Sequence, residues 1–505
     1  MKVIGGTIIA VGCRFAKSLL VTDAVLRLNC RAMSSLPAKS RFAPSPTGWL
    51  HLGNLRTALF SALMAWRHGG HFLLRVEDTD AERSEQAFTE ALYEDLHWLG
   101  LDWQEGPGIG GAQGPYLQSE RAEIYQRFYD ELEAKGLAYP CFCSAQALKL
   151  SRKAQLTSGQ PPRYAGTCAH LSSDEVQRRR DQGIEPTLRF RVPPGKEVRF
   201  TDLVRGEQVY RSEDIGDFVI RRSDGTPAFF FSNAIDDALM GVTHVLRGED
   251  HLTNTPRQLM LLEALGLPTP SYAHISLILG SDGGPLSKRA GALSLRALRE
   301  QGYLPIAILN HLARLGHVYE RDDLLPLDDL IGDFDVARLG RAPARHDPTQ
   351  LDHWQRLAVN HADDAVLLGW LDDQDVSAEQ AQQLVAAVRD NVQFPADLRA
   401  WAQRLLKGLP EFDADGQALL RAAGADFFQQ ALQVLDSAPD DFKAFAQAVG
   451  ERSGARGKAL FQPLRLALSG VMFGPEMHRI WTLLGPAACR ARLEHAAVIA
   501  AFSSQ

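Results

Sequence analysis

A chain of 505 residues, 45% hydrophobic and 23% charged, has the composition of an ordinary soluble globular protein and is long enough for several domains with sizeable cores. Its net charge of −7 argues against a protein that is basic throughout, as many RNA binders are, but leaves a local basic face open. Six cysteines are too few for a disulfide scaffold of this size, which points to a reducing compartment, and no run is long and apolar enough to span a bilayer.

Residues 1–39 differ from the rest of the chain: Lys2, Arg14, Lys17, Arg27, Arg31 and Lys39 face a single acid, Asp23. An acid-poor leader containing arginine has the composition of an organelle transit peptide, and the apolar run from Val3 to Val11 imitates a secretory core. The plainer reading is a poorly ordered extension, or a start assigned too early with Met33 as the true one.

The stretch from Arg41 to Asn54 organises the chain. A short extended run stops at a Pro/Gly turn, and a helical pattern comes next with Leu55, Leu59, Ala62, Leu63 and Trp66 on one face. Gly69-Gly70 ends that helix, and His71 to Val76 reads as the next strand, giving a strand–turn–helix–strand unit of parallel-sheet type. Pro44 and Pro46 stiffen the turn, while Gly48 and Gly53 leave room for a ligand at the backbone. The helix start beside them offers N–H groups suited to phosphate.

Arg75-Val76-Glu77-Asp78-Thr79-Asp80 ends the second strand in acids, which puts Glu77 where open α/β sheets bind ligands and Asp80 at a helix start. A helix is expected from Glu85 to Leu99, with Phe88, Leu92 and Leu96 as its core stripe. Gly106 to Gly114 is glycine-rich but carries no lysine at P-loop spacing, so it is assigned no phosphate role. Cys141-Phe142-Cys143 and Cys168-Ala169-His170 then form two Cys-x-Cys/His pairs with 24 residues between Cys143 and Cys168. Three thiolates and one imidazole can close a tetrahedral zinc site; the same residues also read as small core hydrophobes plus a surface histidine, and the spacing leaves both open.

Between Arg189 and Arg222, three alternating runs read as strands (Leu188–Val192, Val198–Phe200 and Phe218–Ile220) of a sheet with one charged face, suited to RNA phosphates or to plain solvation. The first fold resumes near Ala228. Thr243 to His251 reads as a strand ending in charge, where Arg247 either meets a ligand or pairs with Glu249 or Asp250 on the surface. His274 to Gly280 reads as a buried strand, and Gly283 to Arg289 as a glycine-rich loop carrying Lys288. From there to Gln505 the chain is rich in Ala, Leu and Gln at helical spacing, without internal repeats.

Several of these stretches resemble one family. Arg41-Phe42-Ala43-Pro44-Ser45-Pro46-Thr47-Gly48-Trp49-Leu50-His51-Leu52-Gly53 is similar to the first signature of class I aminoacyl-tRNA synthetases in their glutamyl/glutaminyl branch, with the H-I-G-H tetrad as His51-Leu52-Gly53-Asn54. Arg75 to Asp80 resembles R-I-E-D-T-D, Arg247 to His251 resembles R-G-E-D-H, and Gly283 to Arg289 resembles K-M-S-K-S, with Lys288 as the second lysine and Pro285 in place of the first. Pro161 to Tyr164 and Tyr303 to Gly316 are family strings too, and Gly457 to Arg465 with Gly474 to Glu476 resembles the bacterial anticodon-binding helices.

The resemblance to bacterial-type glutamyl-tRNA synthetases implies an α/β, Rossmann-like catalytic domain at 40–117 and 228–281, interrupted by an acceptor-end module at 118–227 with a zinc knuckle. It further implies the second-signature loop and a helical stem-contact region at 282–365, and an all-helical anticodon-binding region at 366–505. Residues 1–39 then fall outside the family pattern, which favours the plainer reading of them and a cytoplasmic protein; an organelle matrix is the alternative if they are a transit peptide.

The implied activity joins glutamate to ATP, arriving with Mg²⁺, as glutamyl-adenylate, and passes the acyl group to the terminal adenosine of tRNA(Glu), with tRNA(Gln) as a further acceptor. No covalent nucleophile is needed, only alignment and charge stabilisation. His51, Gly53, Asn54, Ser287 and Lys288 would hold ATP, His51 and Lys288 as the catalytic phosphate contacts. Arg41, Ser45, Glu77, Phe229, Asn233 and Arg247 would form the glutamate pocket, the arginines pairing bidentately with carboxylates. Phe229 stands where relatives usually have tyrosine. Cys141, Cys143, Cys168 and His170 would hold a structural Zn²⁺. A monomer free of membranes is expected. Three alternatives are a glutaminyl-tRNA synthetase, which should end in β-barrels, a tRNA-modifying glutamyl transferase, which should lack so long an anticodon body, and a catalytically weak RNA-binding paralogue, suggested by Pro285 and Phe229.

Overall fold

The computed structural model describes residues 37–79, 86–280, 283–284, 286, 294–437, 439 and 441–502. The leader up to Leu36 and the residues Asp80, Pro285, Ser287, Lys288 and Arg289 lie outside the described residues. The chain forms two compact units, one of Met1–Lys288, Leu312–Arg321 and Leu327–His346, the other of Arg289–His311, Asp322–Pro326 and Asp347–Gln505.

In chain order the first unit carries β1 (Lys39–Phe42), α1 (Leu52–Arg67), β2 (His71–Leu74), α2 (Gln86–Trp98), α3 (Ala122–Ala134), β3 (Ala138–Cys141), α4 (Ala145–Thr157), α5 (Ser173–Asp181), β4 (Thr187–Phe190), β5 (Glu197–Asp202), β6 (Gly206–Arg211), β7 (Phe218–Arg221), α6 (Phe229–Leu239), β8 (His244–Gly248), α7 (Thr255–Leu265) and β9 (Ser271–Ile275). Its main sheet is four parallel strands in the order β2-β1-β8-β9. α1 begins where His51, in extended conformation, accepts a hydrogen bond from Gly53 N–H and caps the helix. Leu52, Leu55, Leu59, Ala62 and Leu63 bury completely, as the 3.6-residue period requires of a helix lying on a sheet. The return to β2 needs glycine at position 70, because a Cβ there would sit 1.7 Å from the Ala38 carbonyl oxygen.

The structure corrects several sequence expectations. β2 stops at Leu74, and Val76 carries only an isolated bridge to Leu117. In α2 it is Leu92, Asp95 and Leu96 that bury, while Phe88 packs edge-on against Trp49 at 5.2 Å between ring centres. The stretch from Arg189 to Arg222 does not make one sheet: β3-β4-β7 is an antiparallel sheet and β5-β6 a separate hairpin. Arg189, read as part of a charged face, is buried with its guanidinium 3.8 Å from the Tyr164 ring centre. The run after Ala228 is a helix, and the strand expected from His274 to Gly280 breaks after Ile275, with Ile278–Leu279 pairing instead with Ala344–Arg345.

The C-terminal part of the second unit is helical. Helix Ala425–Asp436 buries Phe427, Phe428, Ala431, Leu432, Val434 and Leu435 along one face, and its neighbours contribute Leu384, Leu398, Phe445, Leu464, Ile480 and Leu493 to the same core. Ser377 with Gln380 forms a capping box, and Asp413 and Asp441 cap two further helices, so sequence and structure agree on where these helices start. The helical body fits the expected anticodon-binding fold and not the β-barrel ending of the glutaminyl alternative. Among the described residues no helix is long and apolar enough to cross a membrane.

Candidate active site

β1 leads through α1 to β2 on one side and β8 leads through α7 to β9 on the other, so the strand order reverses between β1 and β8. Ligands of open parallel sheets bind outside the carboxyl ends of strands at this point. A cleft of about 650 Å³ opens there, and Arg41, Ser45, His51, Gly53, Asn54, Glu77, Phe229, Asn233 and Arg247 all line it. Of the residues expected to bind ATP or glutamate, Ser287 and Lys288 alone are missing from this set, since they lie outside the described residues. Leu286, between Pro285 and Ser287, does line the cleft and donates its N–H to the Ile278 carbonyl at 2.9 Å.

Because His51 Nδ1 accepts from Gly53 N–H at 3.2 Å, the neutral ring carries its proton on Nε2 and can donate there. Gly53 must stay small: a Cβ would come within 3.1 Å of the His51 ring.

Arg247 is buried. Its Nε donates to His274 Nε2 at 3.1 Å, and its Nη2 donates to Thr255 Oγ1 at 2.8 Å and to Gln258 Oε1 at 2.7 Å. Its Nη1 has no hydrogen-bond partner, and among the described residues no carboxylate forms an ion pair with it. Burial brings the guanidinium down to about 10, still charged at neutral pH. This corrects the surface-pairing reading of the residue. Surface pairing with Glu249 does not occur, since Glu249 pairs with Arg205 and accepts from Leu277 N–H. With Nε and Nη2 engaged, Nη1 is the nitrogen of Arg247 left without a partner.

Beneath the cleft lies a buried charge network that sequence reasoning missed. Asp237 accepts from Arg75 Nη1 at 2.7 Å and Arg41 Nε at 3.1 Å. Asp236 accepts from Arg121 Nε at 2.7 Å, Gln118 Nε2 at 2.7 Å and the Tyr125 hydroxyl at 2.8 Å. Glu77 accepts from Asn233 Nδ2 and pairs with Arg75 at 3.5 Å, while Arg41 Nη2 donates to Asn233 Oδ1 at 3.3 Å. Burial raises the Asp237 carboxyl, but Arg41 and Arg75 outweigh it and hold the group below its ordinary value. At Glu77 burial wins over Arg75 and Arg41 and pushes the carboxyl up. Two adjacent acids in the apolar run Phe229 to Leu239 were the available signal, since buried carboxylates require cationic partners.

Phe229 opens α6 and its ring lies 5.0 Å from that of His251, whose imidazole burial lowers to about 4, so that it is neutral at physiological pH.

Away from the cleft, Cys141, Cys143 and Cys168 place their sulfurs within 4.8 Å of one another, Cys143 and Cys168 at 3.7 Å. A tetrahedral zinc with Zn–S bonds of about 2.3 Å sets neighbouring sulfurs about 3.8 Å apart, the spacing that Cys143 and Cys168 already have. Burial would raise the Cys141 thiol, but Tyr164 and Arg189 beside it bring it down to about 7, which favours the thiolate a metal needs. His170, expected as the fourth ligand, does not join the cluster; it sits exposed on a turn. The Tyr164 hydroxyl occupies the nearby position, 3.3 Å from Cys141 Sγ and 3.5 Å from Cys143 Sγ, and accepts from Cys168 N–H at 2.9 Å.

Comparison with known proteins agrees with the geometry. A family model described as "tRNA synthetases class I (E and Q), catalytic domain" matches residues 38–353, and one described as "Anticodon binding domain" matches 356–497. "Glutamate--tRNA ligase 2" of Alkalilimnicola ehrlichii is 57% identical over 93% of this chain and 99% of its own length, and "Glutamate--tRNA ligase 1" of Halorhodospira halophila is 54% identical over 93% and 98%. A crystal structure of a glutamate tRNA ligase from Elizabethkingia meningosepticum in complex with its amino acid superposes with a TM-score of 0.83 at 28% identity, covering 92% of this chain and 99% of that one. With both family models matched in order and curated relatives more than half identical over nearly the whole chain, the chain belongs to the class I aminoacyl-tRNA synthetases of the glutamyl/glutaminyl branch.

Proposed function

We propose that this protein is a glutamate–tRNA ligase that activates L-glutamate with ATP and transfers it to tRNA(Glu), alone or together with tRNA(Gln). The observation that carries the reading is the cleft lined by Arg247, a buried guanidinium with no carboxylate partner among the described residues and no hydrogen-bond partner on its Nη1. Arg41, Ser45, Glu77, Phe229 and Asn233 complete the amino-acid pocket. His51 Nε2 and the turn at Gly53-Asn54 meet the phosphates of ATP, which brings Mg²⁺ with it. Ser287 and Lys288 are assigned to the same phosphates from sequence alone. The chemistry asks for alignment of one glutamate carboxylate oxygen with the α-phosphorus and for stabilisation of charge on departing pyrophosphate. ATP–pyrophosphate exchange with glutamate, glutamine and aspartate compared, with and without tRNA, tests this; exchange with glutamate alone is the expected result.

The protein acts in the cytoplasm as a monomer. Six cysteines among 505 residues, too few for a disulfide scaffold, support a reducing compartment, and elution at the mass of one chain in size-exclusion chromatography is the expected result for a monomer.

Phe229→Tyr restores the hydroxyl usual in relatives. A gained hydrogen bond contributes about 1 kcal/mol, so the KM for glutamate should fall roughly fivefold in the exchange assay while the KM for ATP stays put.

Cys141, Cys143 and Cys168 hold a structural zinc in the inserted module, with Tyr164 or a repositioned His170 as the fourth ligand. Metal analysis of freshly purified protein should find about one zinc per chain, lost in Cys143→Ser together with most tRNA charging. Zinc-free wild-type protein would remove this assignment.

A further inference from the structure

Two groups, His274 and Asp202, run in line behind the pocket arginine. Arg247 on β8 pairs in register with His274 on β9. Its Nε–H donates to His274 Nε2, so that nitrogen is the acceptor and the ring's proton is on Nδ1. Nδ1 lies 2.6 Å from Asp202 Oδ2, and Arg247, His274 and Asp202 are all buried. Burial, the largest influence on the His274 imidazole, lowers it, in keeping with a neutral ring. Asp202 is in turn fixed: its Oδ1 accepts from Val204 N–H at 3.0 Å and Arg205 N–H at 2.8 Å. Asp202 does not belong to the sheet that carries the pocket. It ends β5, in the hairpin between β4 and β7, and Leu203 N–H beside it donates to the Tyr272 carbonyl of β9 at 2.8 Å.

We propose that Asp202 and His274 are positioning residues that set the tautomer and plane facing Arg247, so that the β5-β6 hairpin dictates how Nη1 is presented to the amino-acid carboxylate. The inference rests on the reading of the cleft as a glutamate pocket. Asp202 fixes the proton on Nδ1, His274 then offers Nε2 as acceptor, and together with Thr255 and Gln258 this consumes every donor of Arg247 except those on Nη1. A hairpin of the inserted module thereby holds the substrate arginine from behind without touching substrate.

Asp202→Asn tests this with little change of size. The backbone N–H groups of Val204 and Arg205 keep the amide oxygen on their side, which turns the amide nitrogen, a donor, toward Nδ1. The proton then moves to Nε2 and confronts Arg247 Nε–H, as when an orienting aspartate behind a catalytic histidine is made asparagine. The KM for glutamate in ATP–pyrophosphate exchange should rise about 10- to 100-fold, while the KM for ATP and the thermal midpoint stay near wild type. His274→Phe should show the same selective loss, and His274→Gln, which keeps an acceptor for Nε, should recover much of it. An unchanged glutamate KM in Asp202→Asn, or equal losses in the Phe and Gln variants, would overturn the proposal. So would a rise in the KM for ATP matching that for glutamate, which would mark a purely structural role. If Asp202→Asn does not fold, the His274 pair decides. Wild-type protein that gives no exchange with glutamate would instead reject the reading of the pocket, and the proposal with it.

Discussion

Arg247→Ala should lower kcat/KM for glutamate by about 10²- to 10³-fold and leave tRNA affinity near normal. Truncating one partner of a buried, hydrogen-bonded charge pair typically costs 2–5 kcal/mol, and about 1.4 kcal/mol is tenfold. The case for a large effect is that the other arginines lining the cleft already donate within the protein, Arg56 to the Leu315 and Ser276 carbonyls and Arg222 to Thr226 Oγ1 and the Pro227 carbonyl. Arg41 is already engaged by Asp237 and Asn233, and Arg75 lies in the network beneath. Removal of Arg247 also takes the donor from Gln258 Oε1 and leaves His274 Nε2 with Thr255 Oγ1 alone, which adds to the loss. Pyrophosphate exchange measures the first quantity and filter binding of tRNA the second. Equal losses in both would mean that Arg247 holds the fold and not the substrate.

Asp237→Ala carries the largest expected effect on stability, a loss of about 3–5 kcal/mol, because it strips the closest carboxylate from two buried arginines at once. Arg75 would keep Glu77 at 3.5 Å and Asp236 at 3.8 Å, while Arg41 would keep only neutral partners. Denaturant unfolding of the full chain measures the loss. The same network gives a pH dependence with a definite sign. The Asp237 carboxyl is held below its ordinary value in the folded protein, so its contribution is fully present above the unfolded value of about 4 and is lost as pH falls through the depressed folded value. Glu77 runs the other way: its carboxyl is raised, so its protonation on acidification favours the fold. Asp237→Ala should therefore differ from wild type most at neutral pH and least in acid.

The sequence made the cleft legible because the residues that touch a ligand sit in short local strings. Arg41 to Asn54 runs without a break from the end of β1 through a turn into the first turn of α1, where His51 caps the helix and a Cβ on Gly53 would press on its ring at 3.1 Å. Glu77, Asn233 and Arg247 were legible as residues near the carboxyl ends of strands or in runs leading to them, although the helix that carries Asn233 was not assigned. What surrounds them was not legible, because it is built from contacts between distant parts of the chain. Arg75 and Asp237 are 162 positions apart, and His274 and Asp202 are 72 apart. Local periodicity holds no record of such pairs. The same limit explains β6, whose alternation of Glu207, Val209 and Arg211 with Gln208 and Tyr210 has no apolar face to detect. At the thiol cluster, spacing suggested four ligands, but the turn after Cys168 turns His170 out to solvent and a tyrosine 23 residues from Cys141 takes its neighbourhood.

Aminoacylation of purified bulk tRNA with labelled glutamate, ATP and Mg²⁺ tests the central claim most directly. The account predicts ATP-dependent glutamate esterified to tRNA, sensitive to base, slowed by Arg247→Ala by the same about 10²- to 10³-fold in kcat/KM for glutamate, and confined to tRNA(Glu), or to tRNA(Glu) and tRNA(Gln), when the pool is fractionated. Protein that binds tRNA but attaches no glutamate to any fraction, and gives no pyrophosphate exchange, would contradict it and identify a catalytically inert RNA-binding relative.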